Sequence, residues 1–159
     1  MEWEEFNKNI IELGNLINSQ DFKPDIIVAI TRGGWIPTRY LSDLLNTKNL
    51  GSIGIKYEDE ERTKLVTYSK PTIPKDSKKI LIVEDMLESG KSIKYANEYY
   101  SAQGYETKTA CLFIMNNTKF IPDFYIKTID EKIKFPWEKN HWDYSFKGLR
   151  ILFWKNKYS

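Results

Sequence analysis

The chain has 159 residues, 41% hydrophobic and 29% charged, which suits one globular domain with its own core. Its 24 Lys plus Arg against 22 Asp plus Glu leave a formal net charge of +2, which excludes the broad basic footprint of a dedicated nucleic-acid binder but allows a local anion site. A single cysteine, Cys111, excludes an internal disulfide framework and a paired-cysteine zinc site, and its neighbours Ala110, Leu112, Phe113 and Ile114 predict a buried, inert thiol.

Residues 1–5 are acidic and lack the basic-then-apolar order of a secretory signal, and no apolar run approaches ~18 residues, so a cytoplasmic protein without a membrane partner is expected. Trp3, Phe6, Ile10, Leu13 and Ile17 recur at three- and four-residue steps and predict an amphipathic helix. After a turn at 21–24, residues 25–30 form a β-branched apolar run, the mark of a strand buried on both faces. Thr31-Arg32-Gly33-Gly34 ends it, and Pro37 sits where a helix would begin.

A second strand is predicted over 53–57. The segment that follows changes character: Glu58, Asp59, Glu60, Glu61, Arg62 and Lys64, a short β-like patch at 65–68, then two prolines. It reads as an exposed, mobile excursion over about 58–75, of the kind that serves as a lid, with a solvated insertion as the competing reading. Residues 79–83 make the strongest buried strand, followed by the loop 84–92 and a helix to about Gln103, broken by Gly104. Further strands are predicted over 107–115, 124–129 and 148–154.

Strands alternating with helices predict an α/β fold: a mainly parallel, doubly wound sheet flanked by helices, with an appendage at the carboxyl end. The expected organisation is one domain over 1–159, with its core at about 20–130 and a small hood at about 130–159, to which the helix at 2–19 is a candidate contributor. His141 is the sole histidine, which excludes histidine triads and multi-histidine metal sites. The late aromatics Phe135, Trp137, Trp142, Tyr144, Phe146, Phe153 and Trp154 could stack single-stranded nucleic acid, but with so little net charge they read as packing residues.

In an open α/β sheet ligands bind beyond the carboxyl ends of the strands, which directs attention to the loops 31–36 and 84–92. The second loop offers Glu84 and Asp85, then Glu88, then Ser89-Gly90-Lys91-Ser92 at the start of a helix, where exposed N–H groups favour a phosphate. Gly90-Lys91-Ser92 matches the end of a nucleoside-triphosphate P-loop, but the first glycine of that motif is replaced by Asp85, whose charge opposes a triphosphate. Carboxylates beside a one-phosphate cradle suit a ribose 5-phosphate, because acids accept hydrogen bonds from vicinal hydroxyls.

The four apolar residues before Glu84-Asp85, together with Ser89-Gly90-Lys91-Ser92, resemble the 5-phosphoribosyl 1-pyrophosphate (PRPP) signature of the type I phosphoribosyltransferases. Residues 28–37 resemble the pyrophosphate loop of the bacterial and archaeal 6-oxopurine members, and Phe135-Pro136-Trp137-Glu138 a segment of their hood. The resemblance spans residues 25 to 138.

It implies transfer of ribose 5-phosphate from PRPP to a purine nitrogen in purine salvage, with Mg²⁺ as cofactor, a nucleoside monophosphate and pyrophosphate as products, and a homodimer or higher homo-oligomer. By residue, it implies Thr31, Arg32, Gly33 and Gly34 on the pyrophosphate; Glu84 and Asp85 on the ribose hydroxyls and Mg²⁺; Glu88, Ser89, Gly90, Lys91 and Ser92 on the 5-phosphate; and Glu88 as the base that takes the purine N7 proton. It also implies a cis peptide at Thr31–Arg32. Base-binding residues fall on Met115, Lys132, Ile133, Lys134 and Trp137, with two departures: Lys132 stands where the family places a stacking aromatic, and Met115 where it places a lysine for the 6-oxygen. A swap of roles between the two is one reading. A regulatory PRPP- or nucleotide-binding protein with little turnover, or a transferase for another nucleobase, are the alternatives.

Overall fold

The computed structural model describes residues 1–61 and 63–138. In chain order it contains α1 (Trp3–Asn18), β1 (Ile26–Ile30), α2 (Trp35–Leu44), β2 (Leu50–Tyr57), β3 (Leu65–Ser69), β4 (Lys79–Val83), β5 (Met86–Leu87), α3 (Lys91–Ser101), β6 (Glu106–Ala110), β7 (Phe113–Met115), β8 (Lys127–Ile129) and a 3-10 turn, Pro136–Glu138. The strands form a five-stranded sheet ordered β3-β2-β1-β4-β6 and a three-stranded sheet ordered β5-β7-β8. All pairings are parallel except β2 with β3. No helix among the described residues is long and apolar enough to cross a membrane.

Side chains of a strand alternate between faces, so a strand covered on both faces must be apolar at every position. β1 meets that demand along its whole length. Ile27 points into a core with Leu81, Val83 and the buried stripe of α1 (Phe6, Ile10, Leu13, Ile17), while Val28 and Ile30 join Ile80, Ile82 and the α3 residues Ile93, Ala96 and Tyr100 on the other face. α1 buries the stripe that its spacing predicts, although Trp3 itself remains 44% exposed. Gly104, at φ 89°, follows α3 where a break was expected.

Four expectations are corrected. The apolar run at 107–115 is two strands, because the chain leaves the large sheet after Ala110 and enters the small one at Phe113. At the crossing the Cys111 N–H donates to the Phe124 carbonyl and the Leu112 N–H to the Asp85 carbonyl. The strand expected over 124–129 shrinks to β8, with Phe124 making only an isolated bridge to Ala110. β2 begins at Leu50 rather than 53, and β5 falls inside what reads in sequence as loop. Both extra pieces are strands that a neighbour's register creates (Ile27 with Leu50, Met86 with Phe113) and not an apolar run of their own. Cys111 is buried, as expected.

The excursion after β2 holds β3, antiparallel to β2, so that part of the candidate lid is an edge hairpin. Its turn is organised by Asp59, whose carboxylate accepts from the Thr63 and Lys64 N–H groups and from the Thr63 hydroxyl. These donors favour the charged form and hold the Asp59 carboxyl down at about 2. The candidate strand at 148–154, with His141, Trp142, Tyr144, Phe146, Phe153 and Trp154, lies outside the described residues.

β1 and β4 are tied at their starts by Asp25. Its backbone N–H donates to the Lys79 carbonyl at 2.9 Å, and its Oδ2 accepts from the Lys78 and Lys79 N–H groups at 2.8 and 2.9 Å. Those two backbone donors hold the Asp25 carboxyl below its usual value. Asp25→Ala should therefore cost about 1 kcal/mol at neutral pH, the modest worth of charge-assisted bonds at an exposed carboxylate. Because the pKa is lowered in the fold, this contribution is present above the unfolded value and is lost as pH falls through the folded one. Urea melts of the two proteins should separate at pH 7 and converge as pH falls well below 4; equal midpoints at pH 7 would refute the tie.

Candidate active site

β1 and β4 are neighbours in parallel register, Val28 with Ile82 and Ala29 with Val83, so the loops that follow them leave the sheet side by side. Between them lies a cleft of about 1030 Å³ walled by Thr31, Arg32 and Gly33 from the first loop and by Glu84 through Ser92 from the second. Trp35, Ile36, Tyr57, Ile93, Trp137 and Glu138 complete the wall.

The first loop turns tightly, with the Gly34 N–H donating to the Ile30 carbonyl at 2.9 Å and the Thr31–Arg32 peptide cis. Its glycines are steric requirements. A Cβ on Gly33 would lie 2.5 Å from the Asp85 carboxylate, and one on Gly34 would lie 2.2 Å from the Val83 carbonyl oxygen. The loop thus passes over the carboxylates with no room for a side chain, which leaves Gly33 on the cleft wall and Gly34 beneath it. Arg32 is exposed and makes no ion pair among the described residues, so its guanidinium is free for an anion.

The second loop reaches α3 through Gly90, whose φ of 73° is the left-handed conformation that glycine adopts without strain. A Cβ there would also meet Phe120 at 2.6 Å. The first-turn N–H groups of α3 point back into the loop, the arrangement that holds a phosphate. Ser89 Oγ takes up the Lys91 N–H only loosely, at 3.4 Å, and Lys91 Nζ stands 5.8 Å over the Tyr57 ring.

Glu84 and Asp85 are half-buried at the cleft floor, and among the described residues no lysine or arginine bridges either one. Burial, then the adjacent Asp85 charge, pushes Glu84 well above the usual carboxylate range. Burial also raises Asp85 to about 6, reinforced by the charges of Glu138 and Glu88 and opposed by the hydrogen bond that Asp85 Oδ1 accepts from the Met86 N–H at 2.7 Å. Two carboxylates held without a cation are a hard-oxygen donor pair, the set that Mg²⁺ takes when substrate phosphates and water fill its remaining positions. No cluster of three or more acidic, histidine or cysteine ligands occurs among the described residues.

Lys132 Nζ lies 2.6 Å from Glu88 Oε1, joining the segment after β8 to the second loop. Of the residues named for the base, only Trp137 lines the cleft, and Lys132 reaches it through Glu88. Met115 pairs with Ile129 in the small sheet, Ile133 packs on the hydrophobic core, and Lys134 offers its carbonyl to the amino terminus of Met1 at 2.9 Å. Trp137 lines the cleft while stacking on Phe135 at 4.7 Å and 8° and meeting Phe6 of α1 edge-on at 5.1 Å. Glu138 was missed in the sequence, although it follows Trp137 directly. Its Oε2 accepts the Phe135 N–H at 2.9 Å, which fixes it at the cleft edge. Trp35, Ile36 and Tyr57 were also missed, being apolar or aromatic residues with no pattern that distinguishes a wall from a core.

Comparison with known proteins agrees with this geometry. The phosphoribosyl transferase domain model matches residues 2–147. A purine phosphoribosyltransferase of known structure from Pyrococcus horikoshii Ot3 superposes with a TM-score of 0.77 at 30% identity, covering 87% of this chain and 92% of that one. The xanthine-guanine phosphoribosyltransferase of Idiomarina loihiensis is 25% identical over 142 residues, 87% of this chain and 85% of its own. The uracil phosphoribosyltransferase of Mycoplasmopsis pulmonis is 32% identical over 127 residues, 64% of this chain and 60% of its own. With a family match over most of its length and a cleft built from the two loops that its sequence singles out, the chain belongs to the phosphoribosyl transferase domain family.

Proposed function

We propose that this chain transfers ribose 5-phosphate from PRPP to a ring nitrogen of a 6-oxopurine, with Mg²⁺ as cofactor and release of pyrophosphate. The observation that carries the reading is the pair of anion-holding loops facing each other across one cleft with Glu84 and Asp85 on its floor. Relatives that are purine phosphoribosyltransferases support the choice of a purine.

The α3 amino terminus with Ser89, Gly90, Lys91 and Ser92 holds the 5-phosphate, while Thr31, Arg32 and the Gly33 amide hold the pyrophosphate. Glu84 and Asp85 accept hydrogen bonds from the ribose hydroxyls and would hold Mg²⁺; bound there, the cation neutralises charge on the leaving pyrophosphate. As the bond from the anomeric carbon to pyrophosphate breaks, positive charge grows on the ribose, and the floor carboxylates stabilise it. A ring nitrogen of the base supplies the electron pair for the new bond, and the purine N7 proton passes to the Glu88 carboxylate. Lys132, beside Glu88, is then placed to donate to an oxygen on the same edge of the base.

A pyrimidine is the second reading, favoured by the uracil phosphoribosyltransferase relative, since uracil also sets a ring N–H beside a carbonyl. The exposed Trp3, Trp35 and Tyr40 support a homodimer, because aromatic side chains are enriched at subunit interfaces.

Pyrophosphate release from Mg-PRPP should be measured against hypoxanthine, guanine, xanthine, adenine, uracil and orotate. Turnover is expected with a 6-oxopurine, falling at least about tenfold in Glu88→Gln, the usual worth of a general base. Turnover with uracil alone would select the second reading, and PRPP binding without turnover on any base would identify a regulatory protein. Lys132→Ala should raise KM for the preferred oxo base severalfold while leaving KM for PRPP unchanged; an unchanged base KM would remove Lys132 from the site. Asp85→Asn should lose activity yet stabilise the ligand-free fold. Unfolded Asp ionises near ~3.9, and this one near about 6 in the fold, so stability falls as pH rises through that window. The gain in Tm should be full above pH 6 and vanish below pH 4.

A further inference from the structure

Tyr68, near the end of β3, reaches from the edge hairpin to the first loop. Its hydroxyl lies 3.0 Å from the hydroxyl of Thr31, while its side chain remains 58% exposed. Position 54 makes this possible. A Cβ on Gly54 would stand 2.4 Å from Tyr68 Cζ and 2.4 Å from Ser69 Oγ, so the ring lies across β2 where only a glycine leaves space. The β2–β3 register also shifts between Gly54 and Ile55, an irregularity of the kind that re-aims a side chain.

The neighbours of Tyr68 are anchored as well. The Thr67 hydroxyl donates to the Tyr95 hydroxyl at 3.4 Å, and the Lys70 ammonium to the Tyr99 hydroxyl at 3.3 Å, both on α3. β3 therefore rests on the helix that starts at the phosphate loop and touches the loop on the opposite wall.

We propose that Tyr68 is a positioning residue for the pyrophosphate subsite, acting through Thr31. The inference rests on the reading of residues 31–34 as the pyrophosphate holder. Thr31 is β-branched, with few side-chain rotamers, so one hydrogen bond can select among them. When Tyr68 donates to Thr31 Oγ1, the Thr31 hydroxyl proton is left to point at an anionic oxygen. Gly54 belongs to the same device, since any side chain there would lift the ring.

Calorimetric titration with Mg-pyrophosphate reads this subsite without needing a base or turnover. Tyr68→Phe, which removes only the hydroxyl, should weaken binding about threefold to tenfold, the worth of one net hydrogen bond. Gly54→Ala should do the same through displacement of the ring; if that variant fails to fold, Tyr68→Phe decides alone. In steady-state assays Tyr68→Phe should raise KM for PRPP and leave KM for the base unchanged, a split that loss of stability alone would not produce. In a Thr31→Val background Tyr68→Phe should have no further effect. Binding within twofold of the unaltered protein would overturn the inference. So would a Tyr68→Phe loss undiminished in Thr31→Val, which would put Tyr68 on the ligand directly. If the unaltered protein binds no Mg-pyrophosphate, the loop assignment falls and the inference with it; binding of pyrophosphate without turnover on any base would leave the inference standing and overturn only the proposed transfer.

Discussion

The parallel pairing of β1 with β4 is the constraint on which the rest depends. Parallel neighbours end on the same edge of the sheet, so the loops after Ile30 and Val83 emerge together, and their contact is tight enough that neither Gly33 nor Gly34 can carry a Cβ. Two loops from separate parts of the chain thereby become one cleft. An antiparallel pairing would send the two loops to opposite ends of the sheet. The apolar run of β1 and of residues 80–83 in β4 fixes both strands in the middle of the sheet, where α1 and α2 cover one face and α3 the other.

The cleft is electrostatically incomplete by itself. Glu84, Asp85, Glu88 and Glu138 crowd one side, and only Glu88 has a cationic partner among the described residues. The raised carboxyls of Glu84 and Asp85 register the cost of that crowding and of their burial. The first loop brings Arg32, which has no acidic partner among the described residues, and the second loop ends at the open amino terminus of α3. An anion at each end and positive charge developing between them would satisfy both walls at once, which is the charge distribution of phosphoribosyl transfer.

Much of this was legible in the sequence because it rests on local chemistry. Residues 80–83 are apolar without interruption, and the change to Glu84-Asp85 and then Ser89-Gly90-Lys91-Ser92 announces a strand, a charged loop and a helix start in one line. The first loop was readable for the same reason. Features created by distant partners were not. The break at Cys111 and Leu112 is invisible because both sheets demand apolar residues; the donation of the Cys111 N–H to Phe124 and of the Leu112 N–H to Asp85 marks the transfer between sheets. Met115, Ile133 and Lys134 do not line the cleft, because counting along the chain locates a segment but not the direction of its side chains. Lys132 reaches Glu88, while Ile133, one residue on, faces the core. Glu138 carries no signal until the Phe135 N–H fixes its carboxylate at the cleft.

The two ends of the site are supported in different ways, and this bears on why one is easier to recognise. The two loops that wall the cleft hang directly from central strands, so their geometry tolerates little change: a β-carbon at 33, 34 or 90 collides with Asp85, Val83 or Phe120. The base end hangs instead on a stack of rings. Trp137 lies on Phe135 and against Phe6, Trp3 adds a tilted contact at 6.1 Å, and Phe135 stacks on Phe113 of β7, so the segment 132–138 is fastened to α1 and the small sheet rather than to β1 and β4. Ring packing constrains volume and shape more than identity. Residues on its cleft side can therefore change chemistry without disturbing those two loops. A lysine at 132, paired to Glu88, is the kind of residue such a mounting permits.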